Sequence, residues 1–175
     1  PASTTDVINL TNAVRARYVR LYIDSFTATD PDGCVEWDTV SIYELEVFDH
    51  QLAAPQDPST NVAEGKSAQA DSVESGTQFT ADKAFDGDTS TKASRWASEN
   101  SDDPENTSHW IYVDLGQLRN VKTVRLYWEQ RKPTGYKLQI ATGETAPATD
   151  DGWTDVYTKD GHPESTTDTI RLDEV

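Results

Sequence analysis

The residues best suited to chemistry in this chain are the oxygen donors of Asp86-Gly87-Asp88-Thr89-Ser90. Carboxylates and hydroxyls crowd a segment that glycine lets turn sharply, and hard oxygens in a tight loop are what a divalent hard cation needs. The run does not complete an EF-hand, because the sixth position is Thr91 rather than Gly and the twelfth is Ala97 rather than Glu. A cation held here therefore needs oxygens from elsewhere, and without one the run is an Asp-Gly turn with solvated carboxylates. The other reactive groups do not assemble into motifs. His50, His109 and His162 form no HExxH pair, and no G-x-S-x-G occurs. Glu64-Gly65-Lys66-Ser67 is similar to the end of a phosphate loop, but the required first glycine is Thr60. With 31 Asp and Glu residues, carboxylate pairs of the kind used in glycoside hydrolysis arise by count alone. The chain does not read as an enzyme.

The elements that must position these groups are short strands. Val19, Leu21 and Ile23 alternate within Tyr18–Ile23. In Ser41–Phe48, Tyr43, Leu45 and Val47 alternate with Ile42, Glu44 and Glu46. Ile111–Leu115, Val121–Trp128, Tyr136–Ile140 and Thr169–Leu172 are further runs of this kind, with turn residues between them. A period of two rich in Val, Ile, Tyr and Trp is the strand signature, and no apolar stripe at helical spacing persists for three turns. The pattern predicts an all-β fold, an antiparallel sandwich or barrel.

Length and composition narrow the classes of partner. The 175 residues carry 15 basic and 31 acidic side chains, a net charge of −16, which disfavours nucleic acid and anionic membranes. No apolar run approaches the ~20 residues of a bilayer span. Five Trp, seven Tyr and four Phe supply a core that an acidic disordered chain would lack. The lone Cys34 excludes an internal disulfide. A composition rich in Asp, Thr and Ser and poor in Cys suits a secreted, extracellular bacterial protein, and the absence of Met suggests a piece of a longer polypeptide.

A linker-like stretch at residues 53–60, Ala-Ala-Pro-Gln-Asp-Pro-Ser-Thr, separates residues 1–52 from residues 61–175. The first piece is too small to bury a core alone. Asp6-Val7-Ile8-Asn9-Leu10 near one end is echoed by Asp168-Thr169-Ile170-Arg171-Leu172 near the other, as in a window cut from tandem repeats.

Residues 59–175 resemble the front of a discoidin domain, also called a coagulation factor 5/8 type C domain. In bacterial enzymes it occurs as a family 32 carbohydrate-binding module. The resemblance is carried by "NVAEGKSAQADS" (61–72), "KAFDGDTSTKASRWAS" (83–98), "HWIYVDLGQLRNVKTVRLYWE" (109–129), "YKLQIATG" (136–143) and "GWTDVY" (152–157). "ARYVRLY" (16–22) and "SIYELEVF" (41–48) resemble the back of the same domain. The back thus precedes the front. The resemblance implies a jelly-roll sandwich of galactose-binding-domain type in circularly permuted order. Residues 1–52 would supply its closing strands and 61–175 its opening ones. A closed monomer is expected, with a strand-swapped oligomer as the alternative.

The resemblance also implies a structural Ca²⁺. Its ligands would be main-chain oxygens of Lys83 and Tyr43, carboxylates of Asp86 and Glu44, Asp88, and Thr91 through hydroxyl and main chain. It implies no catalysis, and a carbohydrate partner bound by loops at one end of the sandwich. The ligands commonest in such modules are galactose and N-acetylgalactosamine. Sugar recognition needs an aromatic face and fixed polar groups. Trp37 is the expected stacking platform, with Phe26 a further contact from the same loop, and Glu99, Asn100, Glu129 and Arg131 are the polar contacts, with Ser98 and Gln130 beside them. Trp96, Trp110, Trp128 and Trp153 are expected to pack. "YWE" (127–129) resembles members that bind glucans or chitosan. A cell-adhesion or lipid-headgroup role, known for animal discoidin domains, is disfavoured by the single Cys and the acidic balance.

Overall fold

The computed structural model describes residues 4–25, 39–49, 60–100, 108–129, 132–161 and 168–170. These form eight strands: β1 (Thr4–Ser25), β2 (Ser41–Asp49), β3 (Ser67–Ala70), β4 (Trp96–Ala97), β5 (His109–Trp128), β6 (Gly135–Ala141), β7 (Thr154–Asp160) and β8 (Asp168–Ile170). Two single-turn 3₁₀ segments, Ala81–Phe85 and Asp150–Gly152, complete the described elements. No helix among the described residues is long and apolar enough to cross a membrane. The expected linker lies outside the described residues apart from Thr60.

The long strands β1 and β5 run antiparallel along each other, and their pairing breaks twice. Between Asn9 and Val14, four residues of β1 oppose one of β5. Between Ala16 and Tyr18, four residues of β5 oppose one of β1. Such insertions bend both strands, and their partners change across the bend. The first half of β1 pairs with β8, and the second half of β5 pairs with β2, which carries β4 on its outer edge. Past the bend, β1 pairs with β6, β6 with β7, and β5 with β3. Every pairing is antiparallel except that of β1 with β8.

The two halves of this bent sheet close over one core, making an all-β sandwich. Ile8, Ile42, Leu45, Val47, Val124 and Leu126 meet Val19, Leu21, Ile23, Ile111, Val113 and Leu138 in a single buried cluster. Each fully buried aliphatic side chain contributes about 1.5–3 kcal/mol. Strands from residues 4–49 supply about half of the side chains just named, so neither piece closes this core alone.

Strict alternation in β2 would put Tyr43 with Leu45 and Val47. Instead Tyr43 is an extra residue, since Ile42 pairs with Trp128 and Glu44 with Tyr127. This bulge shifts the phase by one residue, so Ile42 joins Leu45 and Val47 in the core cluster and Tyr43 does not. In β1 the face opposite Val19 and Leu21 is buried too. Tyr18, Ala141 and Trp153 form a small second cluster there, and the Arg20 guanidinium lies 4.5 Å from the Trp153 ring centroid.

Candidate cation and sugar sites

The β2 bulge leads directly into Glu44, whose side chain is fully buried (0 % exposed). Its Oε2 accepts the Gly87 N–H at 3.2 Å and its Oε1 accepts from Asn61 Nδ2 at 3.4 Å. Gly87 sits at φ +83°, where an L side chain is strained, and a Cβ there would meet Glu64 Oε1 at 3.3 Å. The backbone thus turns its amide into the Glu44 carboxylate. Burial pushes the Glu44 carboxyl up to about 8. The Gly87 amide opposes this, while the charges of Asp86 and Glu46 add to it. No Lys, Arg or His among the described residues forms an ion pair with Glu44.

The Asp86–Thr91 turn organises itself around Asp88. Asp88 Oδ1 accepts the Ser90 N–H at 3.0 Å and the Thr91 N–H at 2.8 Å. The Thr91 hydroxyl, with these two amides, holds the Asp88 carboxyl below the usual carboxylate range. Asp86 Oδ1 accepts the Asp88 N–H at 3.1 Å, while Oδ2 takes the Ser94 hydroxyl and faces Lys83 Nζ at 3.7 Å. Of the six expected ligands, Glu44 and the Asp86 turn are therefore brought together across the two pieces. Tyr43 and Lys83 are the chain neighbours that would add main-chain oxygens. Among the described residues, no group of three or more His, Cys, Asp or Glu side chains is arranged to hold a metal, so such a site depends on those main-chain oxygens. The set fits a cation in one respect that stands on the geometry. A carboxylate removed from water, with no cationic partner among the described residues, faces a turn lined with further oxygens.

Asn61, which no sequence motif marks as functional, joins the two pieces beside this seam. Its Oδ1 accepts the N–H of Val47 at 3.0 Å and of Ala63 at 3.1 Å, while its Nδ2 reaches Glu44. One asparagine next to a linker has no periodic signature, and only its position at the start of the second piece marks it.

A second cluster lies where β2 begins. Ser98 Oγ accepts the Val40 N–H at 3.0 Å, and Ser98 N–H donates to the Val40 carbonyl at 2.9 Å. Ser41 Oγ donates to Glu129 Oε2 at 3.0 Å. This chain of contacts joins the segment after β4 to the segment after β5. Glu99 and Asn100 are exposed there, with Glu99 Oε1 accepting from Ser75 Oγ at 2.9 Å. Glu129 is only 6 % exposed and is a supporting residue rather than a reaching one. Trp37, Phe26, Gln130 and Arg131 lie outside the described residues. Behind the cluster, Trp96 is buried and its Nε1 donates to the Ser72 carbonyl at 3.0 Å. Ser72 and Asp71 both bond His109 Nδ1, at 3.4 and 2.6 Å. Sharing one ring nitrogen is a packing arrangement, not a nucleophile–base–acid relay. Trp128 and Trp153 are buried and Trp110 is half-buried.

Residues 83–175 match the family model of F5/F8 type C domains described as a NedA-like, galactose-binding domain. The chain belongs to this family. The matched span opens at Lys83, runs through the Asp86 turn, and includes β4 to β8. No curated protein and no solved structure matches the chain. Membership in a galactose-binding-like family supports a carbohydrate-binding type of role, and domains of this family are typically non-catalytic binding modules.

Proposed function

We propose that this galactose-binding-like domain is a non-catalytic carbohydrate-binding module of a secreted bacterial multi-domain enzyme, with a structural Ca²⁺. Its ligands are glycans of the galactose and N-acetylgalactosamine type. The observation that carries the reading is that Glu99 and Asn100 stand exposed beside a backbone fixed by the Ser98–Val40 and Ser41–Glu129 contacts at one end of the sandwich. Exposed polar side chains on a fixed backbone are what sugar hydroxyls require. A shallow exposed site favours modest affinity for a single sugar, and repeated copies would raise it by avidity.

Lys83, Tyr43, Asp86, Glu44, Asp88 and Thr91 would hold the Ca²⁺, which would supply charge neutralisation at the seam and no chemistry on the sugar. Asn61 and the Gly87 amide orient the Glu44 carboxylate toward that seam. Titration calorimetry with galactose, N-acetylgalactosamine and laminarin-type glucans tests the assignment. Heat with the first two and none with the glucan supports it. Heat with the glucan alone reassigns the ligand, and no heat with any glycan overturns the reading.

A further inference from the structure

The first half of β1 fills a position between two strands. It pairs antiparallel with β5 from Thr4↔Trp128 to Asn9↔Thr123, and parallel with β8 at Asp6↔Asp168, Val7↔Thr169 and Ile8↔Ile170. This position has specific chemical requirements. Asp6 is 3 % exposed, and its Oδ2 accepts Trp128 Nε1 and Tyr136 OH, each at 2.9 Å. Two residues on, Ile8 is buried in the core cluster. The occupant must therefore offer a carboxylate and, two positions later, a large aliphatic side chain.

Asp168-Thr169-Ile170 offers Asp and Ile at the same spacing, with Thr169 in place of Val7. It also lies beside Asp6-Val7-Ile8 in the same direction and in register, residue for residue. Because direction and register already agree, a strand of this sequence fits the inner position with no reversal and no slip. Among the described strands β8 pairs only with β1, so its three residues are a short hold at a sheet edge. Exchange of equivalent elements between copies exchanges like contacts for like contacts, which keeps its cost low.

We propose that Asp168-Thr169-Ile170 of a second copy of this chain takes the position of Asp6-Val7-Ile8, so that copies link by strand exchange. Asp168 then receives the Trp128 and Tyr136 hydrogen bonds and Ile170 fills the core position of Ile8. The test compares Ile8→Lys, Ile170→Lys and the double variant of the full chain by thermal melting and light scattering over a range of concentrations. Ile8→Lys should melt cooperatively and form dimers or larger species as concentration rises. Ile170→Lys should melt like the parent, and the double variant should lose the transition. A synthetic peptide of residues 161–175 should restore that transition, and the same peptide carrying Ile170→Lys should not. Rescue by the peptide upholds the proposal even where Ile8→Lys alone fails to fold. Failure of the peptide to rescue overturns it. So does an Ile8→Lys protein that stays folded and monomeric at every concentration, or, where Ile8→Lys folds, a double variant as stable as Ile8→Lys.

Discussion

The Glu44 carboxylate receives the Gly87 N–H at 3.2 Å, joining residues 43 positions apart in the sequence. This contact fastens β2 to the Asp86 turn and removes a carboxylate from water with amides as its partners. Amide donors offset part of the desolvation cost. A proton or a bound cation must offset the rest.

The first prediction concerns pH in the presence of chelator. The folded state holds the Glu44 proton up to about 8, whereas the ordinary value is 4.5. Between those values the folded chain binds more protons than the unfolded one, so stability falls as pH rises through this window. The slope approaches about 1.4 kcal/mol per pH unit and levels off above it. Urea titrations at pH 5, 6.5 and 8 should show the decline with EDTA, a flatter profile with Ca²⁺, and little Glu44-linked slope in Glu44→Gln under either condition.

Asn61→Ala should destabilise the fold by about 2 kcal/mol, because the Val47 and Ala63 amides lose their acceptor. Asn61→Asp keeps the acceptor but sets a second negative charge beside Glu44. Its melting temperature should depend more strongly on Ca²⁺ than the parent's. Melting curves in Ca²⁺ and in EDTA measure both effects.

Much of the strand pattern was legible because burial follows a period of two where one face meets the core, as in Val19, Leu21 and Ile23. The fusion of Ile111–Leu115 and Val121–Trp128 into one strand was not legible. Gly116 and its polar neighbours read as a turn, whereas the sheet absorbs them as an insertion that bends β5. The Tyr43 bulge was hidden for the same reason, since alternation carries no mark of a register shift. In the candidate site, the meeting of Glu44 with the Asp86 turn followed from family resemblance rather than spacing. The burial of Glu129 depends on Ser41, 88 positions away, and no local pattern encodes it.

Asp114 and Arg17 give a prediction at acid pH. Arg17 Nε and Nη2 donate to Asp114 Oδ1 and Oδ2, each at 2.9 Å, and this pairing holds the Asp114 carboxyl below its usual range. Such a group stabilises the fold above its unfolded value near 3.8, and the contribution is lost as pH falls through the lower folded value. Both side chains are about a quarter exposed, so the effect is about 0.5–1 kcal/mol. Asp114→Asn should lower stability by that amount at pH 6 and by progressively less as pH falls below 3.8, as read by denaturant midpoints.

For sugar binding, Glu99→Ala and Asn100→Ala should each weaken N-acetylgalactosamine binding about tenfold while leaving the melting temperature unchanged, since both side chains are exposed. Glu129→Gln should lower both, because its carboxylate accepts Ser41 Oγ in a buried setting. Titration calorimetry paired with melting curves separates the two patterns.

Calcium titration of the EDTA-stripped protein tests the seam most directly. The account predicts saturable binding of one ion per chain, with a rise in melting temperature that both Glu44→Gln and Asp86→Asn abolish. Absence of binding heat, together with a melt that does not respond to Ca²⁺ or EDTA, would contradict it.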